Sequence, residues 1–282
     1  MSTRPTEPKL PERSALVWRF MAVWFARFVR RHLNAVRLAR WGMPEVGGHH
    51  GPVVVYCNHP SWWDAATIIL LAVRLFPGRE SYAPFDAAML RKYGIFRKLG
   101  AFPVDLDSAR GAGQFLDAAG AALRLPSTVL WITAQGRFAD VRKRPLGLKA
   151  GVARLPELAP DALVLPLALE VAFWDERGAE AFCAFGAPMK AADLLALPRP
   201  ARLARLEAEL AAALDRLGCD VVARDPARFD ALVSGAKGVG GLYDGWRRLS
   251  ARFAGRRFDP AHRPDGGAAD TLDDTSAEAR PS

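Results

Sequence analysis

Short runs of β-branched and aromatic residues alternate along the chain with longer stretches that are rich in alanine and leucine. The runs at residues 53–57 and 128–133 are continuously apolar and predict buried strands. Four more strands are predicted, at residues 80–85, 101–104, 163–171 and 181–185. Helices are predicted between them at residues 61–75, 87–99, 113–125 and 199–217, the last with Gly218 as its stop. Because strands alternate with helices, we predict an α/β fold with a mixed, mainly parallel central sheet flanked by helices.

Residues 14–41 contain neither glycine nor proline and predict one long helix with Ser14 as its N-cap. Apolar and aromatic residues recur here at spacings of three and four, which places them along one side of the helix. The segment carries six arginines and no acidic residue. Such an amphipathic helix is suited to the interface of a bilayer. The alternative is a helix that packs on the domain and keeps its basic side in solvent.

The chain is basic, with 39 lysines and arginines against 30 acids and a net charge of +9 over 282 residues. Residues 264–282 carry five acids and one base, so the other 263 residues carry +13. This excess predicts an anionic partner such as a membrane surface, a nucleic acid or a phosphorylated substrate. No nucleic-acid-binding motif is visible, so we expect no nucleic-acid partner. Half of the residues are apolar, which excludes a fully disordered chain.

The three cysteines, Cys57, Cys183 and Cys219, are too few and too scattered for a disulfide framework and favour a reducing compartment. The longest stretch without Asp, Glu, Lys or Arg, residues 46–63, contains glycines and prolines and cannot form a membrane span. The N-terminus lacks the layout of a signal peptide. We therefore expect a peripheral protein at the cytoplasmic face of the cell membrane, with no transmembrane helix.

These features divide the sequence into five predicted regions. They are a flexible N-terminus (1–13), the membrane-interface helix (14–41), the α/β domain (42–225), a basic extension (226–263) and a disordered acidic tail (264–282). Five arginines of the basic extension form a cluster that suits lipid head groups or the solvent side of a helix: Arg247, Arg248, Arg252, Arg256 and Arg257. Basic charge is therefore expected on both sides of the predicted domain.

The most informative polar stretch follows the first predicted strand. It reads Asn58-His59-Pro60-Ser61-Trp62-Trp63-Asp64. Catalytic groups gather at the carboxyl ends of strands in open α/β sheets, and a histidine there can act as a base that a carboxylate orients. On one continuous helix, His59 and Asp64 would lie about 140° apart. Contact therefore requires His59 in the loop and Asp64 in the first helical turn, and Pro60 favours that break.

A purely structural interpretation of the same stretch is also open. Ser61 and Asp64 are three residues apart and fit a capping box at the start of a helix. A metal site is not expected, because His49 and His50 lie near Cys57 but no second cluster supplies ligands at a zinc-like spacing. We expect no other cofactor either.

The stretch from Asn58 to Asp64 resembles the first motif of the glycerolipid acyltransferase family, of the lysophosphatidic-acid acyltransferase type. That motif has Asn-His, four further residues and then Asp, often with Ser two positions after His. The family's second motif resembles residues 100–105, but Leu106 stands where an arginine is expected, and Arg110 is the nearest later arginine. The fourth motif, an apolar-Pro-apolar strand, is matched by Leu165-Pro166-Leu167.

The third motif of the family, Phe-Pro-Glu-Gly-Thr-Arg, is matched in part by residues 133–138. Gly136 matches, Gln135 replaces the glutamate, and Arg137 arrives one position early. Lys149 and Gly151 are similar to a Lys-x-Gly that lies between the third and fourth motifs. The resemblance thus covers about residues 53–171 in the right order.

The resemblance implies the glycerolipid acyltransferase fold and the transfer of a fatty acyl group from acyl-CoA or acyl carrier protein. The acceptor would be a hydroxyl of a lysophospholipid or another lipid-linked molecule at an anionic membrane surface. His59 would be the general base and Asp64 would orient it, with backbone amides at the start of the Ser61 helix stabilising the oxyanion. Seven residues would contact the substrates: Asn58, Ser61, Arg110, Gln135, Gly136, Arg137 and Lys149.

Two alternatives remain at this stage. Because Gln135 departs from the family pattern, the chain can also be a catalytically weak or inactive protein that binds lipid or phosphate on the same scaffold. A basic cluster follows Gln135 and is either a solvated surface loop or part of an anion site; it comprises Arg142, Lys143, Arg144 and Lys149.

Overall fold

The structure, a computed structural model, describes residues 10–105 and 108–235. The strands are β1 (Ala35–Ala39), β2 (Val53–Cys57), β3 (Glu80–Asp86), β4 (Ala101–Val104), β5 (Thr128–Thr133), β6 (Leu163–Ala172), β7 (Glu180–Phe185), β8 (Met189–Lys190) and β9 (Phe229–Ser234). The α-helices are α1 (Ala15–His32), α2 (Trp63–Leu75), α3 (Ala87–Lys92), α4 (Ala109–Leu123), α5 (Leu155–Leu158), α6 (Ala191–Leu195) and α7 (Arg199–Ala223). Short 3-10 helices cover Arg40–Gly42, Gly94–Leu99, Ala150–Arg154 and Pro226–Arg228.

The strands form one sheet in the order β4-β3-β5-β2-β6-β7-β1-β9, and β8 pairs with β6 outside this row. The five strands from β4 to β6 are parallel, β7 is antiparallel to β6, β1 is parallel to β7 and β9 is antiparallel to β1. The predicted α/β fold with a mixed, mainly parallel sheet flanked by helices is therefore confirmed for the described residues. Cys57 of β2 lies opposite Thr133 of β5, so both strands end at the same edge of the sheet.

Both faces of the central strands are buried, which explains why β2 and β5 are continuously apolar. Val54 and Tyr56 pack on the side of the sheet that α4 and α7 cover. Val53, Val55 and Cys57 alternate with them and pack on the opposite side, with α2. The residues that follow β2 are therefore held by a strand that is fixed from both sides.

The first helix is shorter than predicted. It begins as expected, because the Ser14 hydroxyl accepts a hydrogen bond of 3.3 Å from the backbone N–H of Val17. It ends at His32, so the prediction that it continues to residue 41 is wrong. Residues 35–39 instead form β1, which pairs with β7 on one side and β9 on the other. Val36 and Leu38 become fully buried by this pairing, and their burial outweighs the helical spacing of the sequence.

Helix α1 has two apolar sides. Phe25 and Val29 are buried against α2 and the turn Gly94–Leu99. A second set of large apolar side chains on the same helix is exposed: Leu16, Phe20, Val23 and Trp24. Within the described residues, no helix combines the length and the apolar character needed to cross a membrane.

Two other predicted helices differ from the observed ones. The helix predicted to stop at Gly218 continues to Ala223, and Arg224 ends it in a left-handed conformation. Leu217 and Val221 are buried on either side of the glycine. Their packing outweighs the cost of about 1 kcal/mol that glycine imposes on a helix. The helix predicted at residues 87–99 is interrupted before Gly94, where α3 gives way to a 3-10 turn.

The sheet extends beyond the range 42–225 that we predicted for the α/β domain. β1 precedes that range and β9 follows it, and together they complete the sheet past β7. Residues 1–9, 106–107 and 236–282 lie outside the described residues. The departure at Leu106, the arginines from Arg247 to Arg257 and the predicted acidic tail belong to those parts of the chain.

Candidate active site

Two loops meet at the carboxyl edge of the sheet, one after β2 and one after β5. The backbone N–H of Ala134 donates to the carbonyl of Cys57 at 2.8 Å, and the N–H of Ala139 donates to the carbonyl of His59 at 3.0 Å. These two bonds close the second loop over the first. The polar residues that the sequence places after each strand therefore share one site, as expected for an open α/β sheet.

His59 and Asp64 form a hydrogen-bonded pair in this site. His59 Nδ1 lies 2.7 Å from Asp64 Oδ2. The Asp64 side chain is 2% exposed, whereas that of His59 is 23% exposed. Helix α2 begins at Trp63, so His59 stands in the loop and Asp64 in the first turn, which is the arrangement that the sequence required for contact. With Nδ1 facing the carboxylate, Nε2 is the ring nitrogen left for other partners.

The capping interpretation of Asp64 holds at the same time. The Ser61 N–H donates to Asp64 Oδ2 at 3.2 Å, and the Ser61 hydroxyl lies 3.3 Å from Oδ1. The Ser61 oxygen in turn accepts a bond of 3.1 Å from the N–H of Trp63. Burial raises the pKa of the Asp64 carboxyl, although the hydrogen bonds from His59 and Ser61 act in the opposite direction. One carboxylate thus fixes both the start of α2 and the histidine ring.

The predicted oxyanion site after Ser61 is wrong for three of its amides. The N–H groups of Ser61, Trp63 and Asp64 already donate to acceptors within the same turn. A donor that is committed inside the fold is not free to stabilise a charge that develops on a substrate. An oxyanion would need other donors.

Asn58, which we expected to contact a substrate, is buried and serves the frame of the site instead. Its Nδ2 donates to the Leu169 carbonyl at 2.8 Å, and its Oδ1 accepts from the Leu169 N–H at 2.9 Å. Leu169 belongs to β6, which extends past the end of β2. The side chain of Asn58 therefore takes the place of a paired residue at the end of β2 and fixes the start of the His59 loop.

Gln135 is also buried and committed within the protein. Its Oε1 accepts a bond of 2.8 Å from the backbone N–H of His59, and its Nε2 donates to the Leu146 carbonyl at 2.9 Å. One end of this amide must accept and the other must donate. A glutamate here would place a carboxylate oxygen against the Leu146 carbonyl, two acceptors facing each other. Both ends of the Gln135 amide are thus used to hold the start of the His59 loop, and the expected contact with a substrate stays a prediction.

Among the remaining residues of this loop, Phe138 contacts the His59 ring. Gly136 has a positive φ of 61°, and the carbon chain of Lys149 covers it. The Phe138 ring lies 4.3 Å from the His59 ring, centroid to centroid, and is itself largely exposed. Arg137, between Gly136 and Phe138 in the sequence, is exposed. It makes no side-chain hydrogen bond or ion pair with another described residue.

The other predicted basic residues lie further from the pair or are already paired. Arg110 is exposed in the first turn of α4. This helix follows β4, which β5 and β3 separate from β2, a distance of about 14 Å at the usual strand spacing. Arg142 pairs with Asp140 at 2.7 Å, and Arg144 pairs with Asp215. Most of the basic cluster after Gln135 therefore behaves as a surface loop.

Sequence reasoning missed Phe138, whose ring is in contact with His59. The signal was an aromatic residue in a polar loop, directly after the Gly136-Arg137 pair. Leu169 and Leu146 were missed as well, because only their backbone groups take part and their own side chains carry no chemical signal. In the described part of the chain, no group of three His, Cys, Asp or Glu side chains is placed to hold a metal ion.

No model of a known protein family matches this chain, and no curated protein matches it. Support for a function therefore comes from the geometry around His59 and from the resemblance of its motifs.

Proposed function

We propose that this protein transfers a fatty acyl group from an acyl thioester to a hydroxyl of a lysophospholipid or another lipid-linked acceptor. The observation that carries the proposal is the 2.7 Å bond between His59 and Asp64, at the end of a parallel strand and near Arg137, which has no partner among the described residues. The thioester would be acyl-CoA or acyl carrier protein. The resemblance to the glycerolipid acyltransferase family supports the same reaction.

In this mechanism, His59 is the general base. As the acceptor oxygen attacks the thioester carbonyl carbon, its proton passes to His59 Nε2. The carbon–sulfur bond then breaks, and the leaving thiolate takes that proton to become a thiol. Asp64 holds the proton on Nδ1 and stabilises the imidazolium that forms in between. The products are an ester and a free thiol, so no further reactant is needed.

The side chains around His59 favour a substrate hydroxyl, and not a protein residue, as the nucleophile. The Ser61 hydroxyl is engaged with Asp64 and with the backbone of Trp63, away from His59 Nε2. Cys57 is buried, its thiol lies against the Ile132 carbonyl at 3.4 Å, and burial raises its pKa well above the usual value. A direct transfer without a covalent enzyme intermediate is the reaction that these contacts suit.

Arg137 is the residue we assign to an anionic group of the acceptor or donor. Because its guanidinium has no partner within the described part of the chain, its donors are open to a phosphate, which an arginine can bind through two parallel hydrogen bonds. Gln135 on one side and Phe138 on the other tie this loop to His59. An anion held by Arg137 would therefore be near the general base.

We also propose that the protein works at a membrane surface and that α1 contacts the bilayer. Exposed apolar residues along α1 are interspersed with exposed arginines, a composition that suits the boundary between head groups and acyl chains. Phe28 of α1 packs against Trp62 with 5.9 Å between ring centroids, and Trp62 is exposed three residues after His59. A lipid acceptor would thus reach the site from the bilayer.

The test is a transfer assay with the purified full chain. Acyl-CoA and acyl carrier protein donors are combined with a panel of lysophospholipid and glycolipid acceptors, and the products are identified by mass spectrometry. Replacing His59 with Ala should lower turnover at least about 100-fold. Replacing His50, an exposed histidine outside the site, should leave it unchanged.

Equal turnover by the wild type and the His59→Ala variant would sink the assignment of the base. Retention on lipid vesicles without turnover on any acceptor would instead support the second candidate, a lipid- or phosphate-binding protein on the same scaffold. Gln135 does not favour that candidate by itself, because its amide has a structural use in holding His59.

A further inference from the structure

Residues 87–99, which comprise α3 and the 3-10 turn after it, expose apolar and basic side chains together. Met89, Tyr93 and Ile95 are each between 42% and 47% exposed. Four exposed cations lie among them: Arg91, Lys92, Arg97 and Lys98. The segment has no acidic residue. We call these seven side chains the 87–99 surface.

The inner side of this segment is firmly held, so its outer side is not needed for folding. The Phe96 ring stacks on Phe85 with 5.1 Å between centroids, and Leu90 and Leu99 are buried. Met89, Tyr93 and Ile95 belong to none of the buried clusters that form the core of the described residues. Their exposure therefore has no structural explanation within the described part of the chain.

The 87–99 surface adjoins α1. The Ser14 N–H at the start of α1 donates to the Lys98 carbonyl at 3.0 Å. Phe96 and Leu99 pack in the same apolar cluster as Phe25 and Val29 of α1. A backbone hydrogen bond and a shared apolar cluster thus join the two elements.

The charge of the 87–99 surface favours an anionic bilayer over a protein partner. α1 and residues 87–99 together carry eight lysines and arginines and no acid. Among the described carboxylates, only that of Glu12 comes within 4 Å of one of these cations, at 3.9 Å from Lys98. The core of a protein–protein interface is normally depleted of lysine, whereas anionic lipid head groups attract lysine and arginine and accept apolar side chains beneath them.

We propose that the 87–99 surface is a second membrane contact, which together with α1 binds the protein to an anionic bilayer. The inference rests on the membrane location in the proposed function but not on acyl transfer, since lipid binding needs no turnover. Two adjoining contacts fix the orientation of the protein on the bilayer, which a single helix does not. Trp62, beside His59, then lies toward the same lipid, because it packs on Phe28 of α1.

The test is flotation of the full chain with vesicles of phosphatidylcholine alone and with vesicles that also contain phosphatidylglycerol. One variant carries Met89→Ser, Tyr93→Ser and Ile95→Ser, and a second carries Gln in place of the four cations of the surface. Matched controls are Phe173→Ser and Val222→Ser, which remove exposed apolar side chains beside and within α7, on the other side of the sheet. Thermal unfolding of every variant verifies that the fold is intact.

Wild-type protein should float with the anionic vesicles, and each 87–99 variant should bind them at least about tenfold more weakly. The two controls should bind like the wild type. If the wild type binds and both 87–99 variants bind equally well, the second contact is disproved while the membrane location stands. If the wild type itself fails to bind, the membrane location in the proposed function and the second contact that rests on it are both disproved. A concentration-dependent dimer that the Met89, Tyr93 and Ile95 changes abolish would show that a second copy, and not lipid, covers this surface.

Discussion

The Nδ1 atom of His59 lies 2.7 Å from Oδ2 of Asp64, a carboxylate that is 2% exposed and that also accepts the N–H of Ser61. The bond selects the tautomer of the histidine that carries its proton on Nδ1. The same carboxylate is fixed in the first turn of α2 by its bonds to Ser61, so it offers the histidine ring an acceptor at a constant position. A histidine oriented in this manner is prepared to take a proton at Nε2 each time a substrate arrives.

Asp64→Asn is expected to lower kcat between about 100-fold and 10,000-fold in the transfer assay, with little change in KM. An amide in this position can hold the ring in the wrong tautomer and does not stabilise the imidazolium. The matched control is Asp193→Asn, an exposed aspartate in the first turn of α6, which should retain full activity. Comparable kcat values for the Asp64 variant and the wild type would show that the pair has only a structural role.

Gln135→Glu should lower the free energy of unfolding by about 2 kcal/mol at pH 7, because a buried carboxylate would then face the Leu146 carbonyl. Burial, and the lack of a donor for the oxygen that faces Leu146, would raise the pKa of this glutamate in the folded state. The loss of stability is complete above that raised pKa. It becomes smaller as the pH decreases, because the acid gains a proton that it can donate to the Leu146 carbonyl. The difference from the wild type should therefore narrow between pH 7 and pH 5.

The measurement is urea unfolding of both proteins at the two pH values. Gln114→Glu makes the same change of charge at an exposed position of α4 and should alter stability by less than about 0.5 kcal/mol at either pH. A constant difference for the Gln135 variant across this range would contradict the proposed bond between its amide and Leu146.

The sequence predicts the parallel half of the sheet well and the other half poorly. β2 and β5 are covered on both faces, and such strands appear as unbroken apolar runs. β1 does not form such a run, because its central residue is Arg37 and its two end residues are alanines, and it lies among arginines with helical spacing. Its extended form depends on pairing with β7 and β9, from residues more than 140 positions away. Local pattern has no access to such pairings.

The site shows the same division between local and distant contacts. His59 and Asp64 are five positions apart, and the proline between them favours the break in the helix that their contact requires. The functions of Asn58 and Gln135 were not predictable, because each depends on a backbone group in another segment, Leu169 or Leu146. The motif resemblance predicted that both residues contact a substrate. Only the fold shows that their side chains hold the His59 loop through backbone groups.

Arg137→Ala is expected to raise KM for the anionic substrate about tenfold or more while leaving stability unchanged. The guanidinium is exposed and has no partner among the described residues, so its removal leaves nothing unpaired. Arg142→Ala is the control, since that side chain is equally exposed but already paired with Asp140. It should change KM less than about threefold. An equal rise of KM in both variants would indicate a diffuse effect of surface charge in place of a specific site.

Glu157→Gln should remove a pH-dependent contribution to stability at the junction of α5 and α7. The Glu157 carboxylate accepts bonds of 2.8 Å from Arg199 and from the buried Arg202. The bonds from Arg199, and then those from Arg202, lower the pKa of Glu157 from its usual value of 4.5 to about 2. A lowered folded-state pKa stabilises the protein above pH 4.5, and the contribution is lost as the pH falls through 2.

At pH 7 the free energy of unfolding of the Glu157 variant should therefore be about 1 kcal/mol below that of the wild type. The difference is this small because the carboxylate is partly exposed and solvent screens its ion pairs. The gap should close as the pH is lowered from 4.5 toward 2, because the wild type then protonates Glu157 and loses the same bonds. Denaturant unfolding at a series of pH values measures both quantities. Glu209→Gln breaks an ion pair with Arg205 in which the carboxylate has the same 27% exposure but no buried arginine depends on it. That control should cost only a few tenths of a kcal/mol at pH 7, and a gap for Glu157 no larger than this would mean that Arg202 does not need its carboxylate partner.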